Sequence, residues 1–363
     1  MDRVCSVVLK GNSRILSLIG LSVLFPLVAC DPQRGERDAA PVDPPVGFAA
    51  LANEPLLLRE DTAAILAKPI LASQDRDGRL FVADGSDRNV KVYAPDGQRL
   101  MTIGRAGRGP GEFSQLSDAQ TYHDSVIAYD FTLARLSIFN SAGRFVRSQS
   151  MKPAPFSTRV IDDSLLLLIR HPAQGGKLLR IARLDGSVLA EFFERREYFE
   201  NPKLRPLTAV FADGRDGRIF AHIFGDDSVF VFDYRGRLLG SGPIGSSAEI
   251  TSFRTALRAH NGEVQSKDGK WFHDGARAVM KLVVISGGLA VMQVARYDTQ
   301  SGTDILEGGE MLVVGVRDGV ATAVGRTEMT SGLVGRDYAG APIFFRYANA
   351  EATTYAIHTW VLK

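Results

Sequence analysis

Seven residues have the types that build a recognition surface: Arg170 with His171, His222, Arg296 with Tyr297, and Arg346 with Tyr347. An arginine fork pairs with a carboxylate through two parallel hydrogen bonds, and tyrosine offers a ring face and a hydroxyl. Such a set suits an anionic or sugar-like ligand. His171 and His222 are also residues that can ligate zinc, and carboxylates such as Asp84 and Asp130 can ligate zinc or calcium, as a metal-dependent enzyme would need. His260-Asn-Gly-Glu263 and His273-Asp274 add two further imidazoles with no third ligand in sight. Each feature has an ordinary reading. Asp84 and Asp130 follow apolar runs, where a carboxylate braces the next turn through backbone N–H groups. The chain has no Gly-x-Ser-x-Gly, no His-Glu-x-x-His and no dinucleotide fingerprint. Binding without a cofactor is therefore expected ahead of catalysis.

The elements that hold these residues are strands. From Ile70 to Phe113 four short β-type runs alternate with turns, two of them Asp77-Gly78 and Asp96-Gly97. Glycine accepts positive φ without steric cost, so Asp-Gly between β runs signals a hairpin. The second turn of the unit recurs at Gly143, Gly186 and Gly236, roughly every 45 residues, a propeller-like period. Gly319 follows after nearly twice that interval, so insertions occupy about one unit.

Six units result: 70–106, 116–151, 159–194, 207–245, 278–326 and 331–363. The last has room for about three strands, and Leu56-Leu57-Leu58 supplies a fourth that closes the ring and removes an open edge. The expectation is an all-β fold, a six-bladed β-propeller with four-stranded antiparallel blades. An insertion at 246–277 interrupts it. Ser246 with Glu249 matches a capping box, and Ile250, Phe253 and Leu257 have helical spacing, which predicts a helix near 247–260. In such a ring the b–c turns and the links between blades share one end, and the a–b and c–d turns share the other. The seven recognition residues fall at the b–c end, together with the 104–113 loop that carries Arg105 and Arg108. The Asp-Gly turns at the opposite end read as structural.

The N-terminus reads as an address. Arg3, Lys10 and Arg14 precede the apolar run Ile15 to Phe25, which is too short for a bilayer span of ~20 residues. Leu27-Val28-Ala29-Cys30 follows. Residues 1–29 are then a signal peptide, 30–54 a Pro-rich tether that cannot bury enough surface to order itself, and 55–363 the propeller. Cys5 and Cys30 are the two cysteines, so there is no disulfide framework. Of 43 basic and 41 acidic residues, Arg3, Lys10, Arg14 and Asp2 precede Cys30, and the remainder balances. A neutral body does not suit nucleic acid.

Leu27-Val28-Ala29-Cys30 resembles the bacterial lipobox. Leu80-Phe-Val-Ala-Asp84, Val90-Lys-Val-Tyr93, Asp96-Gly97 and Gly104-x-x-Gly-x-Gly-Pro-Gly-x-Phe113 together resemble NHL-repeat propellers. The whole looks like the bacterial six-bladed β-propeller lipoproteins. That resemblance implies lipidation at Cys30, with palmitate among the acyl chains. It also implies a place in the cell envelope, anchored to a membrane and facing the periplasm or the cell surface. Function would then be a binding or scaffold role towards an envelope protein or a small ligand. A metal-dependent lyase or lactonase is the alternative, and a purely structural envelope protein a third reading. Fold alone does not choose among them.

Overall fold

The computed structural model describes residues 48–49, 55–59, 65–162, 164–171, 176–194, 209–224, 226–244, 277–296, 309–329, 331–347, 355–359 and 361–362. The expected signal peptide, most of the tether, the helix near 247–260 and the two histidine pairs of the insertion lie outside them. Every regular element among the described residues is a strand.

In chain order, β1 (Phe48–Ala49) and β2 (Leu56–Leu57) precede blade one. That blade is β3 (Pro69–Gln74), β4 (Leu80–Asp84), β5 (Asn89–Tyr93) and β6 (Arg99–Ile103). A link of β7 (Arg105–Ala106) and β8 (Glu112–Phe113) leads to blade two, β9 (Leu116–Tyr122), β10 (Ser125–Asp130), β11 (Arg135–Asn140) and β12 (Phe145–Ser150). Blade three is β13 (Ser157–Asp162), β14 (Leu165–Ile169), β15 (Leu179–Arg183) and β16 (Val188–Phe192). Blade four is β17 (Val210–Arg215), β18 (Arg218–Ile223), β19 (Ser228–Asp233) and β20 (Leu238–Pro243). Blade five is β21 (Arg277–Ile285), β22 (Leu289–Arg296), β23 (Gly309–Arg317) and β24 (Val320–Met329). Blade six has β25 (Gly332–Arg336), β26 (Pro342–Tyr347) and β27 (Tyr355–Thr359), while β28 (Val361–Leu362) pairs with β1.

The fourth strand of blade six comes from the N-terminal side. Leu56 pairs with Ile357 and Leu57 with Ala356, antiparallel. Blades six and one are joined further inside by a parallel bridge, Gly335 to Ala72 and Arg336 to Ser73. The sheet order β2-β27-β26-β25-β3-β4-β5-β6 is therefore two blades fastened at the ring's closure. Gly335 permits that approach, since a Cβ there would overlap the Ala72 carbonyl oxygen.

Sequence pattern and packing agree. The strand Leu80–Asp84 is buried throughout, because both of its faces meet a neighbour. Val82 packs with Val334 and Phe345 of blade six, while Phe81 and Ala83 pack with Leu116 and Val126 of blade two. The same two-sided arrangement puts Ile219 and Ala221 against blade three and Phe220 against blade five. A core of this kind is divided into layers between blades, and uninterrupted apolar runs in the b strands are its signature. The outermost strands have one free side, so Phe145–Ser150 is mostly exposed.

Turns and links obey local chemistry. Gly97 and Gly236 hold φ of 84° and 79° and donate to Ala94 O and Asp233 O, both at 2.9 Å. In the 104–113 link, Glu112 accepts from Gly109 N at 2.8 Å and pairs with Arg105 at 2.7 Å, and Phe113 is buried. That loop is a brace between blades.

Candidate functional site: the axial mouth

Apart from the β25–β3 bridge, inner strands of neighbouring blades share no ladder among the described residues, so side chains must satisfy some of their amides. Asp118 Oδ2 accepts from Thr158 N at 3.0 Å, and Asp213 Oδ2 from Val284 N at 2.8 Å. Gln293 Oε1 accepts from Leu333 N at 2.9 Å, and Ser73 Oγ from Thr121 N at 3.0 Å. The axis is thus lined by polar groups fixed to backbone, which makes a preorganised surface.

Two arginines bridge blades beside that axis, and Arg336 reaches across it. Arg336 of β25 pairs with Asp213 of β17 and donates to Val284 O at 2.9 Å, Val160 O at 3.1 Å and Gly214 O at 3.2 Å. Arg159 of β13 pairs with Asp118 of β9. Lys281 of β21 is 8% exposed and donates to Ile70 O of β3 at 2.7 Å. Burial pushes its ammonium down to about 7; Arg159 acts in the same direction, and Asp118 and Asp213 oppose it. Asp213 Oδ1 is buried with no hydrogen-bond partner.

Above this charged floor a cavity of about 580 Å³ opens among the C-terminal ends of all six inner strands. That volume is in the range of small-molecule sites. Its walls include Gln74 and Arg76 after β3, Gln120, Tyr122 and His123 at β9, Asp162 at β13, Arg215 and Asp216 at β17, and Tyr338 beyond β25. Tyr338 is 59% exposed, Arg76 is exposed, and Arg215 donates to Tyr338 O at 3.2 Å. Tyr122 and His123 meet edge to face, with ring centroids 4.5 Å apart. Asp75 and Asp337 serve their own turns, accepting from Arg79 N at 2.9 Å and Ala341 N at 2.7 Å. The mouth therefore offers planar carboxylate, amide and guanidinium groups beside aromatic faces. Such a set can hydrogen-bond a polyhydroxylated solute without covalent chemistry.

The cavity lies at the a–b end, and none of the seven residues expected from the sequence lines it. Strand direction does put Arg170, His171, Arg296 and Arg346 at the ends of b strands, the other end of the ring. Arg346 is exposed there. Arg170 Nη1 donates to Lys177 O at 3.4 Å within its own blade, and the His171 ring lies 5.5 Å from Phe156, its basicity lowered by burial. His222 is enclosed in β18 with Nδ1 3.1 Å from Ser228 O, and burial pushes it down to about 4. Tyr297 and the side chains of Arg296 and Tyr347 lie outside the described residues.

Asp84 and Asp130 act as braces. Asp84 accepts from Ala67 N at 2.8 Å, Ser86 N at 2.9 Å and Lys91 Nζ at 2.7 Å. Burial raises its carboxyl, yet Lys91 and these amides together hold it below the ordinary value. Asp130 accepts from Ser114 N at 2.6 Å and Leu133 N at 2.8 Å. Among the described residues no three His, Cys, Asp or Glu side chains are grouped to hold a metal. The axial groups were missed in the sequence, although each is a charge inside an apolar inner strand: Lys281 in 278–285, Asp213 in 210–214 and Arg336 after 332–335.

These features define the class: the chain is a six-bladed β-propeller with a polar axial cavity. Residues 62–159 match the family model DUF5128, described as a 6-bladed beta-propeller. A solved protein of Bacteroides fragilis, described as exported, is 10% identical with a TM-score of 0.58, over 88% of this chain and 99% of that one. A DUF4221 family member from Bacteroides vulgatus is 11% identical with a TM-score of 0.58, over the same shares. Virginiamycin B lyase from Staphylococcus aureus is 8% identical with a TM-score of 0.49, over 88% and 95%. At these identities the likeness is one of fold. No curated protein matches the chain.

Proposed function

We propose that this propeller is a lipid-anchored, extracytoplasmic binding protein whose axial mouth takes a small polyhydroxylated, sugar-like solute. One observation carries the binding reading: the cavity of about 580 Å³ to which all six inner strands contribute, with backbone-fixed charges as its floor. A preformed site loses little on ordering, which favours affinity for a small polar ligand.

The address rests on Arg3, Lys10, Arg14, the apolar run and Leu27-Val28-Ala29-Cys30. Acyl chains on Cys30 would give firm attachment where a single chain is marginal. The export ascribed to the Bacteroides fragilis relative is in keeping with that address. Because β2 runs antiparallel to β27, the tether would reach the body at the c–d end, the end that holds the mouth.

Two measurements test the reading. Metabolic labelling with a fatty acid is expected to mark the parent and not Cys30→Ser; label retained in Cys30→Ser would remove the anchor. A screen of mono- and disaccharides by ligand-observed NMR is expected to find binders that Arg76→Ala and Tyr338→Ala lose. Both side chains are exposed at the rim, so neither substitution should unfold the body.

A further inference from the structure

The strongly exposed apolar side chains are not scattered over the body. Each blade places one at the start of its outermost strand, beside the turn that leads into it. They are Leu100 in blade one, Val146, Leu189, Leu238 and Val320 in blades two to five, and Leu57 of β2 in blade six. All six lie between 45% and 56% exposed. Phe145 and Val188 adjoin this ring, and Tyr338 stands at the mouth; among the described residues, Ile65 and Phe156 are the exceptions and fall at the b–c end. The outer strands of blades one to five begin at c–d turns, and β2 begins at the same end, so the ring encircles the end that holds the mouth. A single exposed apolar residue is ordinary. The same placement in six blades of different sequence is not, and packing does not demand it: buried positions of these strands, such as Ile103 and Phe192, already serve the core.

Basic groups accompany the ring. Arg144 and Arg147 flank Val146, Arg183 precedes Val188, Arg235 and Arg237 precede Leu238, and Arg317 precedes Val320; all are exposed. Carboxylates of the same turns serve local amides. Asp96 accepts from Gln98 N at 3.0 Å, Asp185 from Ser187 N at 2.8 Å and Asp233 from Arg235 N at 2.9 Å. Apolar side chains set among arginines match a membrane interface, where the former enter the acyl boundary and the latter meet anionic headgroups. The chain also brings that surface close. From Cys30 to Leu56 it spans at most about 90 Å, and it joins the body at the c–d end.

We propose that this collar seats the propeller, mouth end down, on an anionic lipid surface. The choice of a membrane as the occupant rests on the lipid-anchored reading. Anchoring turns the second contact into an intramolecular one, so a ring of small apolar contacts is enough to hold the pose. The collar follows the perimeter while the mouth lies on the axis, so the contact surrounds the cavity without filling it.

The test uses the full chain on vesicles of phosphatidylglycerol and phosphatidylcholine that carry a nitroxide-headgroup lipid. The body has no cysteine of its own, so an added one can carry a fluorophore, with the parent labelled in parallel to subtract any signal from Cys5 or Cys30. Leu100→Cys and Leu238→Cys report from blades one and four, which face each other across the ring. Lys152→Cys reports from just beyond the far end of β12, about 20 Å from Val146. All three positions are exposed, so these substitutions should not unfold the body. Probes at 100 and 238 are both expected to be quenched at least about threefold more than the probe at 152. Equal quenching at all three, or excess quenching on one side of the ring only, overturns the seat. Shielding of the two collar probes from a soluble quencher before vesicles are added would give the collar to a second copy of this chain and overturn it as well. Fatty-acid label lost with excess quenching intact removes the anchor and leaves the seat; label intact without excess quenching removes the seat alone.

Discussion

Replacing Lys281 with methionine should stabilise the protein near neutral pH, an unusual outcome for a buried position. The fold holds the amine at about 7, while the unfolded chain protonates it below 10.5. Below 10.5 the unfolded state therefore binds a proton that the folded state resists. The resulting cost grows as pH falls from 10.5 and is complete below about 7. At about 1.4 kcal/mol per tenfold difference in proton affinity, it reaches about 4 kcal/mol at pH 7. Methionine matches the volume and removes this cost. It also removes the 2.7 Å bond to Ile70 O and leaves that carbonyl unsatisfied, a loss of about 1–2 kcal/mol. The net gain at pH 7 is about 2 kcal/mol, and above pH 10.5 the sign reverses. Urea unfolding of parent and variant at pH 7 and pH 10.5 reads both values. If Lys281→Met is less stable by the same amount at both pH values, the lysine is charged and paired in the fold, and the reasoning fails.

Two further outcomes follow from the packing. His222 is held neutral down to about 4, whereas the unfolded chain protonates near 6.5, so stability should fall as pH drops from 6.5 towards 4, by up to about 3 kcal/mol; His222→Gln should flatten that part of the profile, and an unchanged acid loss in the variant would contradict it. Gly335→Ala forces a methyl group against the Ala72 carbonyl where blades six and one meet, so the unfolding free energy should drop by about 1–3 kcal/mol; a variant as stable as the parent in denaturant would refute the tight closure.

Much of the fold could be read locally. Asp-Gly turns, apolar b strands and the shortage of one strand in the last unit each depend on a few neighbouring residues. Their consequence, β2 beside β27, follows from closing a ring. The braces Asp84 and Asp130 were legible for the same reason, since their partners include the next turn. Lys91, which holds Asp84 from the adjoining strand, was not singled out. The axial site had no local signature. Arg159, Asp213, Lys281 and Arg336 come from four blades and meet only because the ring closes. Strand parity also misleads at Lys281. A register shift between Val279 and Lys281 breaks the alternation, so Val279 and Leu282 share one core while Val283 belongs to the next. Without the bulge, the sequence does not tell which way Lys281 faces. Position at a strand end was also a poor guide to exposure: His222 was placed at an open end by counting, and β18 encloses it.

Equilibrium binding of a saccharide from the screen, compared across four variants of the full chain, decides whether the a–b mouth receives the ligand. Arg76→Ala and Tyr338→Ala should each weaken binding at least tenfold, while Arg170→Ala and Arg346→Ala at the opposite end bind as the parent does. Binding retained in the first pair and lost in the second would place the site at the b–c end instead.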